Sequence, residues 1–172
     1  EIMIDEECVQ IIALRQPTAN DLRLVTAIFK TITDLERVGD EAQSIAKRAL
    51  SLSEAERPKK NYRELSALGN NARSTLRNAL DAFARLDVDA ALAVAAEDSK
   101  KDDEYESIIR QLITYMMEDP RTISSMMDLI WVARSLERIG DHAHNLCEYV
   151  IYLVEGKDVR HLSVESMEKA LD

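Results

Sequence analysis

One seven-residue motif occurs twice in this chain. Glu36-Arg37-Val38-Gly39-Asp40-Glu41-Ala42 returns 101 residues later as Glu137-Arg138-Ile139-Gly140-Asp141-His142-Ala143, with five of seven positions identical. Upstream, Asp5-Glu6-Glu7-Cys8-Val9-Gln10-Ile11-Ile12 aligns with Asp102-Asp103-Glu104-Tyr105-Glu106-Ser107-Ile108-Ile109 at an offset of 97. A proline separates the two segments of each copy, Pro17 in the first and Pro120 in the second. Internal self-similarity of this kind describes two copies of one supersecondary unit. A further segment, 62–86, reads as a helix before the second copy and has no counterpart before the first. The expectation is an all-α chain of two tandem three-helix bundles, the first lacking its N-terminal helix. The opening Glu1-Ile2-Met3-Ile4, with no initiator Met, fits a truncated start.

Only 4 Gly and 3 Pro in 172 residues leave too few turn formers for a sandwich or barrel. Helices are predicted over 1–15, 18–54, 62–86, 88–118 and 121–155, with a short one from Ser163. Asp87 is the expected N-cap, and Gly156 the expected stop. Residues 55–61 alone read as a connection. The organisation is therefore 1–56 for the first unit, 57–61 for a linker and 62–172 for the second. A 46% hydrophobic content can fill a core. Lys+Arg 22 against Asp+Glu 32 gives −10, a poor balance for gripping nucleic acid or anionic lipid. No apolar run approaches the ~18 residues of a membrane span. Cys8 and Cys147 have no motif spacing, so free thiols in the cytoplasm are expected.

Helical phase gives the repeat its chemical interest. Seven-residue steps give Ile123, Ile130, Glu137, His144 and Ile151, beside Met126, Ala133, Gly140, Cys147 and Val154. The first copy gives Leu22, Phe29, Glu36, Gln43 and Leu50, beside Val25, Ile32, Gly39 and Ala46. Both are expected to be core-facing seams, each with a carboxylate beside a glycine at its middle. A helical glycine costs about 1 kcal/mol against alanine, so close approach of a neighbour is expected there. Asp40 and Asp141 follow their glutamates by four and share a face with them. In the preceding helices, Asp98 and Asp102 form Asp-x-x-x-Asp, and Glu1 and Asp5 form Glu-x-x-x-Asp. Each unit would then gather four carboxylates, a hard oxygen set suited to Mg²⁺, Ca²⁺, Mn²⁺ or iron.

A plainer reading stands beside this one. Acid pairs spaced i,i+4 commonly line solvated faces, and Arg37 or Arg138 could pair with carboxylates on a neighbouring helix. His144 is either a ligand in one unit or a hydrogen-bonded core histidine; Gln43 replaces it in the other. His142 and His161 fall off the seam and are expected to face solvent. Trp131 and Met116, Met117, Met126 and Met127 are expected to pack. Arg57-Pro58-Lys59-Lys60 reads as a solvated linker. No phosphate-cradling Gly-rich loop and no Ser/His/Asp arrangement is present.

Asp34-Leu35-Glu36-Arg37-Val38-Gly39-Asp40-Glu41-Ala42 and Leu136-Glu137-Arg138-Ile139-Gly140-Asp141-His142-Ala143-His144-Asn145 resemble the two signature helices of the PhoU family. The stretch Ile11 to Arg23 around Pro17, and the tail Gly156-Lys157-Asp158-Val159-Arg160-His161, are similar to that family as well. Ser44 stands where the second copy has Asn145. The resemblance implies two three-helix bundles and a non-catalytic negative regulator of the phosphate-starvation response. It would act between the ATPase subunit of the phosphate ABC transporter Pst and the sensor kinase PhoR, often as a homodimer. It also implies iron or zinc held by Glu36, Asp40, Glu137 and Asp141, with Glu1, Asp5, Asp98 and Asp102 opposite. Two other classes compete. A di-iron carboxylate oxidase would want a carboxylate-x-x-His in each half, which Gln43 opposes. A purely structural bundle would spend its acids on ion pairs.

Overall fold

The computed structural model describes residues 1–54, 63–98, 101–160 and 162–171; the 57–61 linker and His161 lie outside the described residues. The fold is all-α, with no strand among the described residues. Helix α1 spans Ile2–Arg15, α2 Ala19–Glu54, α3 Arg63–Arg85, α4 Val88–Asp98, α5 Lys101–Glu118, α6 Ile123–Glu155 and α7 Val164–Leu171. The stretch expected as one helix over 88–118 is described as α4 and α5, with 99–100 outside the described residues.

The punctuation follows the turn chemistry. Gln16 closes α1 in a left-handed conformation at φ 48°, its N–H reaching Ile12 O, and Pro17 prevents continuation. Asp87 caps α4 by accepting from Ala90 N at 2.9 Å. Asp119 accepts from Arg121 N at 3.1 Å to set the single 3₁₀ turn Pro120–Thr122 before α6. Gly156 ends α6 at φ 71°, a conformation that disfavours side chains.

Helix α6 is the axis of the molecule, packing against α2, α3, α4 and α5. Small side chains let helices approach at one level, where Ala79, Ala82, Ala91 and Val94 meet Ala143, Leu146, Cys147 and Val150. A second layer joins Leu68, Ile108, Leu112, Met126, Leu129 and Ala133, with Leu52 from α2 at its edge. Met167 of α7 closes a third, smaller layer over Ile151 and Val159. Each fully buried aliphatic side chain contributes about 1.5–3 kcal/mol, so the apolar free energy is concentrated around α6.

The first unit differs. Helix α1 packs substantially only on α2 and buries Cys8. The Leu22, Phe29, Glu36, Gln43 and Leu50 stripe, expected in a core, is exposed along its length. The reason is topological: α3 lies on α6, and no described helix lies equivalently on α2. Met126 is buried as expected, but Met117 and Met127 are exposed on either side of the Pro120 turn. Trp131 is half exposed, with the Arg48 guanidinium stacked on its ring at 5.2 Å.

Candidate acidic faces and the seam between the repeats

The first acidic face lies at the α1–α2 contact. Glu36 and Asp40 are exposed on α2, one turn apart, and the start of α1 brings Glu1 within their field. The Glu36 carboxyl is raised above its ordinary range, chiefly by the charge of Asp40, then by partial desolvation, and further by Glu1. Arg37 opposes the shift without cancelling it. Asp5 is half buried, and its Oδ1 is shut from solvent without a hydrogen-bond partner. Crowded carboxylates and an orphaned carboxylate oxygen are the groups that a hard cation would satisfy. Among the described residues, however, no three His, Cys, Asp or Glu groups are already drawn within ligand reach of one point.

The second face is built differently. Glu137 is half buried and accepts an ion pair from Arg134 at 2.7 Å. Asp141 is exposed, and His144 Nε2 comes to 3.8 Å from Glu148. The side chains of Asp98 and Asp102 lie outside the described residues. The two signature glycines also part company. A Cβ added to Gly39 would meet nothing within 4 Å, so the expected close approach is absent there, whereas Gly140 is buried.

The chemistry that sequence reasoning missed lies between the repeats. On α2, Ala27, Asp34, Glu41 and Arg48 recur at seven-residue steps; the repeat-equivalent row on α6 is Asp128, Ser135, His142 and Tyr149. All eight are buried or half buried. Asp34 accepts from His142 Nδ1 at 2.7 Å, Asn145 Nδ2 at 3.2 Å and Tyr149 OH at 2.7 Å. Glu41 pairs with Arg138 at 2.6 Å. Arg48 and Ser51 both reach Asp128, at 3.1 and 3.0 Å. Partners on α6 fall in number as those on α2 rise, so the helices run antiparallel.

His142, expected in solvent, is therefore buried, because α6 is covered by α2 on the side that would otherwise be its outer face. A carboxylate only accepts, so His142 Nδ1 carries the hydrogen, and its Nε2 has no partner. Burial, followed by the Asp34 hydrogen bond, pushes the Tyr149 hydroxyl far up. Repeat symmetry would match the Arg138–Glu41 pair with Arg37–His142; histidine offers Arg37 no carboxylate, and Arg37 stays exposed. Among the described residues, the expected cross-helix arginine pair is seen between Arg138 and Glu41. The seven-step spacing of Asp34, Glu41 and Arg48 was the available signal for this seam.

An antiparallel pair of long helices carrying a doubled acid motif, inside an all-helical two-repeat architecture, defines the class. The PhoU domain matches this chain over residues 1–49 and 65–150, and the chain belongs to the PhoU family. It is 56% identical over 164 residues to the phosphate-specific transport system accessory protein PhoU homolog of Pseudomonas putida, covering 95% of this chain and 64% of that protein. Against the phosphate-specific transport system accessory protein PhoU of Escherichia coli K12 it is 51% identical over 172 residues, covering 99% and 70%. The crystal structure of PhoU from Pseudomonas aeruginosa superposes with a TM-score of 0.86 at 54% identity, covering 89% of this chain and 73% of the other. The phosphate transport system regulatory protein PhoU from Streptococcus pneumoniae superposes with a TM-score of 0.79 at 30% identity, covering 89% and 71%. No helix among the described residues is long and apolar enough to cross a membrane.

Proposed function

We propose that this chain is the helical core of a cytoplasmic adaptor that restrains phosphate uptake and the phosphate-starvation response. Its partners on this reading are the ATPase subunit of a phosphate ABC transporter and a PhoR-type sensor kinase, with a homodimer as the working form. The observation that carries the proposal is the PhoU-domain match over both repeats, which spans both copies of the acid motif. The relatives' names, accessory and regulatory proteins of phosphate transport, support a binding role over a catalytic one.

Glu1, Asp5, Glu36 and Asp40 would hold a metal ion on the first face, and Asp98, Asp102, Glu137 and Asp141 would hold one on the second. Iron or zinc would be the ion on the resemblance alone; Mg²⁺ and Mn²⁺ suit the same oxygen donors. Bound there, a cation supplies positive charge that neutralises crowded carboxylates and ties α1 to α2. The protein's own part is to hold those acids together against their repulsion, visible in the raised Glu36 carboxyl. The test is a pull-down from phosphate-fed cells with partners identified by mass. Recovery of the transporter ATPase and the kinase is expected. Their absence, under conditions where a full-length relative recovers them, would overturn the adaptor reading.

A further inference from the structure

The α1–α2 pair is joined to the rest of the described molecule, in any substantial way, through the α2–α6 contact alone. The middle of that contact is polar: Asp34 with His142 and Tyr149, then Glu41 with Arg138, then Arg48 with Asp128. To the apolar clusters around α6, α2 adds only Leu35 at one margin and Leu52 near the helix end, beside the small Ala27 buried on the seam row itself. The α6 contacts with α3, α4 and α5 are instead lined by alanine, valine, leucine and cysteine.

Opening these two kinds of contact has different consequences. Separating an apolar layer exposes hydrocarbon to water and is opposed in proportion to its area. Separating a charged seam returns each group to water, which recovers most of the desolvation cost of burying it. We infer that the seam is a polar latch. Helices α1 and α2 leave α6 as one unit, while α3 to α7 stay folded around their apolar core. Glu36 and Asp40 travel with α2, and Glu137 and Asp141 remain with α6, so the latch governs how the two acidic faces are placed relative to each other. Because the latch uses none of these four acids, it stands independently of metal binding.

The experiment is native-state hydrogen exchange on the full chain, followed by mass spectrometry across a series of sub-denaturing urea concentrations. Amides of α2 between Ala27 and Arg48 should open together with those of α1, at least tenfold more often than amides of α6 between Ile139 and Ile151. Asp34→Asn with Glu41→Gln should raise α1–α2 opening by tenfold or more and leave the α6 amides unchanged. If α2 and α6 amides of the unaltered protein exchange through one common opening, the latch is refuted. It is equally refuted if the double variant speeds all helices alike. The urea series on the unaltered chain decides the matter even if the variant does not fold.

Discussion

Helices α2 and α6 carry the same motif, in the same phase, and end in opposite surroundings. Ile151 is fully buried, whereas its repeat equivalent Leu50 is 67% exposed. Gly140 is enclosed and Gly39 faces open space. Glu137 is half buried against Arg134, while Glu36 is exposed beside Asp40 and Glu1. The difference comes from what lies on each helix: α3, α4 and α5 wrap α6, whereas α2 has α1 on one side and α6 on the other. A heptad stripe therefore states where a helix can be covered. Whether it is covered depends on the neighbours.

The largest effect should come from testing that contrast directly. Ile151→Ala should cost about 2–5 kcal/mol in urea unfolding, the range for a core aliphatic truncation. Leu50→Ala should stay within about 0.5 kcal/mol, as surface substitutions do. Equal costs would mean that α2 is covered in solution by an additional helix or a second copy.

Next in size is the seam. Asp34→Ala removes the acceptor for His142, Asn145 and Tyr149 together, and stranding buried donors costs about 1–3 kcal/mol. The Tyr149 hydroxyl should also titrate at lower pH in that variant, seen by its ultraviolet absorbance, because Asp34 is one cause of its raised value. An unchanged Tyr149 titration would show that burial alone sets it.

Glycines divide the molecule in the same way. Gly156→Ala places a Cβ at φ 71° and into the Arg23 guanidinium, so a loss of about 1–2 kcal/mol is expected. Gly39→Ala meets nothing and sits inside a helix, so a gain of about 0.5–1 kcal/mol is expected in thermal unfolding. A loss at Gly39 would mean that a neighbour packs there in solution.

The smallest effect concerns charge. Glu36 titrates above its ordinary range in the fold, so its ionised form is disfavoured there. That penalty is present above the folded value and is relieved as pH falls through it towards the unfolded value, so acidification across this window favours the fold at this site. Asp40→Asn removes the leading cause and should bring the Glu36 carboxyl resonance back towards the ordinary titration range in an NMR pH series. No change would mean that desolvation dominates.

The repeat, the helix boundaries at Pro17, Asp87 and Gly156, and the Met126–Ala133–Gly140–Cys147 part of the expected row were legible because capping and periodicity act locally, while Val154 at the row's end is exposed. The open α2 stripe was not, since periodicity marks an apolar face without naming its cover. Nor was the seam, because Asp34 lies 108 and 115 residues from His142 and Tyr149, and only the antiparallel docking of α2 on α6 brings them together. Spacing groups Glu1 with Glu36 and Asp40, and the structure places the charges of Asp40 and Glu1 where they raise the Glu36 carboxyl, whereas the tie of Glu137 to Arg134 depends on rotamers that spacing cannot choose.

On the proposed function, the two acidic faces would each bind a cation, one per repeat. Manganese binding to the unaltered chain and to Asp40→Asn, Asp141→Asn and the double variant, counted by the electron paramagnetic resonance of free Mn²⁺, tests it most directly. Each single variant should lose one of two sites, and the double variant should lose both, along with the metal-induced rise in melting temperature. Without metal the double variant should be the more stable protein, because like charges have been thinned. Undiminished binding in the double variant, or a double variant less stable than the unaltered chain without metal, would contradict the claim and make these carboxylates partners of the neighbouring arginines.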